Sequence, residues 1–119
     1  MRPFELKTAA SFEEAAKLKG QGGTDVLSGG TDLLNVYKHS LLEEAPKTVV
    51  SLRGISDAKG IEEKDGQITV KAMTTLSEIG DSPLLREKAA ALAEAASVVA
   101  TPLIRNVGTV GGNICQDVR

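Results

Sequence analysis

The sequence predicts an α+β fold divided into two subdomains, residues 1–54 and 55–119. Two observations predict it. Strand and helix signals alternate as β-α-β-α-β up to Leu52, and the order then changes to a hairpin followed by helices. The 12 glycines are also clustered, five from Gly20 to Gly30 and three from Gly108 to Gly112, so each half carries one glycine-rich loop.

In the first half, Phe4-Glu5-Leu6 is short and alternating, which suits a strand. Ser11-Phe12-Glu13-Glu14 has the spacing of a capping box, with Ser11 as the cap and Glu14 reaching back. Ala15, Ala16 and Leu18 continue that helix, and Gly20 is expected to end it in the left-handed conformation. Asp25-Val26-Leu27-Ser28 reads as a second strand, broken by Gly29-Gly30. Thr31 or Asp32 then caps a second helix that reaches His39, with Leu33, Leu34 and Tyr37 on one side. Lys47 to Leu52 is β-branched and bounded by Pro46 and Gly54, the pattern of a third strand.

The second half opens with a hairpin: Ile61 to Lys64, the turn Asp65-Gly66, then Gln67 to Met73. Thr75-Leu76-Ser77-Glu78 is a second capping box, and Gly80 is expected to end its short helix. Ser82-Pro83 places a cap and a first-turn proline ahead of a longer helix. Leu85, Ala89, Leu92, Ala96 and Val99 recur at helical spacing, which predicts one amphipathic helix that Pro102 ends. Asn106 to Asn113 is too rich in glycine for regular helix and reads as an irregular loop.

Composition excludes several functions. With 14 basic and 16 acidic residues and 3% aromatics, the chain offers no polyanion surface or base-stacking platform, so no nucleic-acid partner is expected. One cysteine and one histidine exclude a disulfide framework and a multi-cysteine or His-rich metal site within this chain. No apolar run approaches the roughly 18 residues of a membrane span. Met1-Arg2-Pro3-Phe4-Glu5 lacks the apolar region of a signal peptide, so a cytoplasmic protein is expected. The lone His39 reads as a helix-end residue, and Tyr37 as core packing rather than a base contact.

Both glycine loops have the chemistry of a phosphate cradle. Leu27-Ser28-Gly29-Gly30-Thr31-Asp32-Leu33-Leu34 joins a strand to a helix, where glycine lets the backbone approach a ligand with its N–H groups. A plain β-to-α turn is the alternative. The Asp32 carboxylate would repel a phosphate and is expected to turn away. In Ile104-Arg105-Asn106-Val107-Gly108-Thr109-Val110-Gly111-Gly112-Asn113, three glycines flanked by Thr109 and Asn113 make a backbone nest, with a tight irregular turn as the alternative. Arg105 could neutralise phosphate or serve a surface contact. Neither loop has the Lys of a Walker A motif or the G-x-G-x-x-G spacing of a dinucleotide fingerprint. Two nests on two subdomains suggest one ligand clamped between them.

Taken as a pair, in this order and at this distance, the two loops resemble the FAD-binding signatures of the flavin (medium) subunit of molybdenum hydroxylases. The resemblance extends through Ala72-Met73-Thr74-Thr75 and covers nearly the whole chain. It implies a two-subdomain FAD-binding fold of the molybdenum hydroxylase flavoprotein type. Backbone N–H groups of Ser28, Gly29, Gly30, Thr31 and Asp32 would hold the diphosphate of FAD from one side. Thr109, Val110, Gly111, Gly112 and Asn113 would hold it from the other, with Thr101 as a further flavin contact. The implied role is electron relay between iron–sulfur clusters and an external partner, beside an iron–sulfur subunit and a molybdopterin subunit. No residue here need be catalytic, because the cofactor carries the chemistry.

The tail Cys115-Gln116-Asp117-Val118-Arg119 is similar to the 4-hydroxybenzoyl-CoA reductase branch, in which later cysteines bind an extra [4Fe–4S] cluster. Cys115 itself is expected to be a small buried residue. A xanthine or carbon monoxide dehydrogenase medium subunit is the alternative within the family. A non-catalytic nucleotide-binding or assembly module is the alternative outside it. Subunits of this family are more than twice as long, so the chain reads as truncated, with the second subdomain incomplete.

Overall fold

The computed structural model describes residues 1–117, so Val118 and Arg119 of the tail lie outside the described residues. Three parallel strands form the first sheet: β1 (Glu5–Thr8), β2 (Thr24–Leu27) and β3 (Thr48–Ser51), in the order β1-β3-β2. Central β3 is covered on both faces, which explains its unbroken β-branched run. Val50 packs with Ala9 and Ala15 under α1 (Phe12–Lys19). Val49 points to the opposite face and packs with Val36 and Tyr37 of α2 (Leu33–Lys38). Both valines are 0% exposed.

The second region holds the antiparallel hairpin of β4 (Ile61–Lys64) and β5 (Gln67–Val70). Its turn residues Asp65 and Gly66 both have positive φ, 51° and 77°, as a two-residue primed turn requires. Helices α3 (Leu76–Asp81), α4 (Pro83–Lys88) and α5 (Ala90–Val98) follow. Leu76, Ile79, Leu85, Ala93 and Ala96 form their core, against Ile68 and Val70 of the hairpin.

Several local expectations are corrected. Gly20 stays right-handed at φ −66°, and the left-handed residues are Gly22 and Gly23. Glu14 reaches past Ser11 and accepts from the Ala10 N–H at 2.7 Å. Gly80 lies inside α3, where a Cβ would meet the Ser97 hydroxyl at 2.6 Å, so glycine there permits close helix packing rather than termination. The long amphipathic helix is two helices, broken at Ala89 (φ −142°, ψ 53°). The break rotates the following turn, so Ala93 is buried and Leu92 is 41% exposed.

Pro102 opens a helix instead of ending one. Val99 is extended and Ala100 has φ 48°, and the one-turn helix α6 (Pro102–Arg105) begins after Thr101. The glycine-rich segment holds helix as well: α7 (Val110–Ile114), capped by the Thr109 hydroxyl, which accepts from the Gly112 N–H at 3.2 Å.

Candidate functional site

The two glycine loops meet. The Ser28 Oγ and Thr109 Oγ1 lie 2.5 Å apart across a separation of 81 residues. Ser28 has one hydroxyl hydrogen, and Met73 Sδ accepts it at 3.0 Å, so Thr109 is the donor of the hydroxyl pair. The Gly112 N–H donates to Thr109 in turn. The result is a directional chain from Gly112 through Thr109 and Ser28 to Met73.

Glycine at position 29 is a consequence of that contact. A Cβ there would collide with the Val107 carbonyl oxygen and sit 3.0 Å from the Gly108 Cα. Gly30 has φ +83°, a conformation that side chains disfavour. The second loop is held by strand-like bonds. Thr75 and Thr109 form an antiparallel bridge, with Leu76 N–H to Gly108 O and Val110 N–H to Thr74 O, both 2.9 Å. The Gly111 N–H donates to Ala72 O, also at 2.9 Å.

These contacts frame a cleft of about 510 Å³. Ser28, Gly29, Gly30, Thr31, Asp32, Thr109, Gly112 and Asn113 all line it. Among the described residues, Val110, Gly111 and Thr101 do not. Val110 and Gly111 are turned into the Thr74 and Ala72 carbonyls, and Thr101 is exposed and caps α6 through the Ile104 N–H at 3.4 Å. Arg105 is also outside the lining, and its guanidinium donates to the Val99 and Ala100 carbonyls.

The donor inventory differs between the loops. The N–H groups of Ser28, Gly29, Gly30 and Thr31 have no hydrogen-bond partner among the described residues. In the second loop, Val110, Gly111, Gly112 and Asn113 all donate within the protein, and only the Thr109 N–H has no partner among the described residues. A backbone nest at Thr109 to Asn113 is thus corrected to a helix start whose amides are already engaged. The first loop carries the free donors.

The rest of the lining was not foreseen from sequence. Val36, Leu42, Val99 and Ile104 supply apolar wall. Val36 lies one turn beyond Leu33 on α2, a visible signal, whereas Leu42 and Ile104 carry no local one. Asp25 lines the same cleft. Its carboxylate accepts from the Tyr37 hydroxyl at 2.7 Å and pairs with the Lys19 ammonium at 3.0 Å. Burial, and then the Asp25 carboxylate, hold the Tyr37 phenol far above its ordinary value, so it remains a donor. Tyr37 is buried and stacks at a tilt on Phe4, ring centroids 5.8 Å apart, as core packing predicts. Cys115 is exposed and lines the cleft, contrary to the buried thiol expected.

A mixed lining with a run of unsatisfied backbone donors suits a ligand that combines an oxyanion with apolar parts. No group of His, Cys, Asp or Glu among the described residues could hold a metal. Among the described residues, no helix is long and apolar enough to cross a membrane.

Comparison with known proteins agrees with this geometry. Residues 2–119 match the family model described as FAD binding domain in molybdopterin dehydrogenase. The carbon monoxide dehydrogenase medium chain of Hydrogenophaga pseudoflava is 35% identical over 115 residues, which are 95% of this chain and 39% of that one. The nicotinate dehydrogenase FAD-subunit of Eubacterium barkeri is 33% identical over 117 residues, 96% of this chain and 39% of that one. A chain in the structure of the Hydrogenophaga pseudoflava carbon monoxide dehydrogenase lacking its Mo-pyranopterin moiety superposes with a TM-score of 0.86 at 35% identity, covering 96% of this chain and 40% of that one. The chain therefore spans about two fifths of the length of these relatives. With two glycine loops closed on one cleft and a family match over nearly all its residues, the chain belongs to the FAD-binding domains of molybdopterin dehydrogenases.

Proposed function

We propose that this chain is the FAD-binding part of a molybdenum-hydroxylase-type oxidoreductase. The observation that carries the reading is the run of four unpartnered N–H groups, Ser28 to Thr31, on the lining of the cleft. The residues present fit the cofactor: these amides suit the diphosphate, and Val36, Leu42, Val99 and Ile104 suit a ring system. Thr109 N–H and the Asn113 side chain add donors from the opposite loop. Val110 and Gly111 hold that loop on the Ala72–Thr74 segment, and Gly112 holds the Thr109 hydroxyl.

Bound FAD would supply the redox chemistry, passing electrons between iron–sulfur clusters and an external partner, with molybdopterin on another subunit. This chain's own residues bind and orient. Gly29 lets the two loops close, and the hydroxyl chain ending at Met73 fixes the Ser28 and Thr109 side chains. No proton transfer is asked of any residue here.

Titration of FAD with the purified chain, read as quenching of flavin fluorescence, tests this. Saturable quenching that ADP reverses supports a diphosphate clamp. Quenching that never saturates, or that ADP leaves unchanged, overturns it.

Within the family we favour the 4-hydroxybenzoyl-CoA reductase branch over the carbon monoxide and xanthine branches. The support is the Cys115-Gln116-Asp117 run, with Cys115 exposed at the cleft. Iron analysis of the native flavin subunit tests it: about four irons per flavin fit an extra [4Fe–4S] cluster, and none sinks that assignment.

A further inference from the structure

A second cleft, of about 460 Å³, shares Ser28, Gly29 and Thr109 with the first. The rest of its lining is different. Leu52, Ile55, Met73 and Val107 give it an apolar floor, and Arg53 and Asn106 give it donors. Its volume lies in the range of small-molecule sites, which combine apolar walls with a few placed polar groups.

The charge in this cleft is one-sided. No acidic residue lines it, although the whole chain has net charge −2. Lys59 is paired with Glu78 at 3.0 Å. Arg53 has no carboxylate partner among the described residues, and its guanidinium makes one hydrogen bond, to the Gly29 carbonyl at 3.5 Å. Asn106 is oriented by Ser77, whose hydroxyl donates to Oδ1 at 2.6 Å, which leaves the NH2 end of the amide without a partner among the described residues. A guanidinium and an amide NH2 over an apolar floor match a carboxylate on an apolar body.

We propose that this second cleft is a separate ligand site for a small organic acid. The carboxylate sits on Arg53 and the Asn106 amide, and the apolar body lies on Leu52, Ile55, Met73 and Val107. The ligand would also reach the first cleft indirectly, because Arg53 anchors the carbonyl of Gly29, a residue common to both.

The test uses phenylacetate as the probe and neutral phenylacetamide as its isostere, each followed by backbone amide shifts of the chain. Phenylacetate is expected to saturate at about 1–10 mM with shifts at residues 52–56, 73 and 106–107, and phenylacetamide to bind about tenfold more weakly or worse. Arg53→Gln, an exposed change, removes the difference between the two probes. Asn106→Ala weakens phenylacetate by a smaller factor, with circular dichroism confirming the fold. Equal binding of acid and amide overturns the proposal, as does an Arg53→Gln chain that still prefers the acid. Shifts confined to Ser28–Thr31 that FAD abolishes place the acid in the first cleft and also overturn it. No saturable shift at about 10 mM does the same. The comparison of acid with amide does not depend on the chain binding FAD.

Discussion

At the scale of single residues, two glycines decide whether the site exists. Gly29 is a point where the loops touch, and Gly30 supplies the left-handed turn that follows it within the first loop. Gly29→Ala forces a methyl into the Val107 carbonyl, and such overpacking costs about 1–3 kcal/mol. Gly30→Ala keeps the contact but pays the left-handed penalty of about 1–2 kcal/mol. Urea unfolding should show both losses, while FAD quenching should be lost in Gly29→Ala and only weakened in Gly30→Ala. A Gly29→Ala chain with unchanged midpoint and unchanged quenching contradicts the loop contact. The glycines themselves were legible in the sequence. Which amides remain free was not, because that depends on Ala72 and Thr74, residues more than 30 positions from the loop they engage.

At the scale of elements, α3 positions the second loop, and its cap is the place to weaken it. Thr75 and Glu78 form a complete capping box, with the Thr75 N–H on Glu78 Oε2 at 2.9 Å and the Glu78 N–H on Thr75 Oγ1 at 3.2 Å. Thr75→Ala should cost about 1 kcal/mol of stability. Burial raises the Glu78 carboxyl, but the Thr75 N–H, the Lys59 ammonium and the Thr75 hydroxyl outweigh it and hold it below the usual 4.5. A carboxyl depressed in the folded state stabilises above its unfolded value and loses that contribution as pH falls through the folded value. The difference between wild type and Thr75→Ala should therefore be flat from neutral pH down to about 5 and shrink below about 4. A difference that grows on acidification contradicts this assignment. The Ser11 cap, the Thr75–Glu78 capping box, the hairpin turn and the three strands were legible because each rests on neighbours in sequence. The break at Ala89 and the helical state of Val110–Ile114 were not, since tertiary contacts override a periodic pattern and a glycine-rich composition there.

At the scale of the whole molecule, two small α/β pieces are joined at one seam. Ser28 and Thr109 meet there, Gly29 packs on Val107 and Gly108, and the cleft opens beside them. The α+β fold was readable from the change in element order, and the paired loops from their glycines. The apolar wall was not, because Leu42 comes from a segment with no pattern of its own and Ile104, although it heads the second loop, carries no local sign of facing the cleft. The expected symmetry between the loops also gave way: the first offers donors, and the second is braced by the Ala72–Thr75 segment. The central claim is that asymmetry, and amide-resolved NMR during an FAD titration tests it most directly. Saturable shifts are expected at the amides of Ser28, Gly29, Gly30, Thr31 and Thr109, with the Val110 and Gly111 amides keeping their bonded positions. Saturable shifts led by Val110 to Asn113, with the first loop silent, would contradict it.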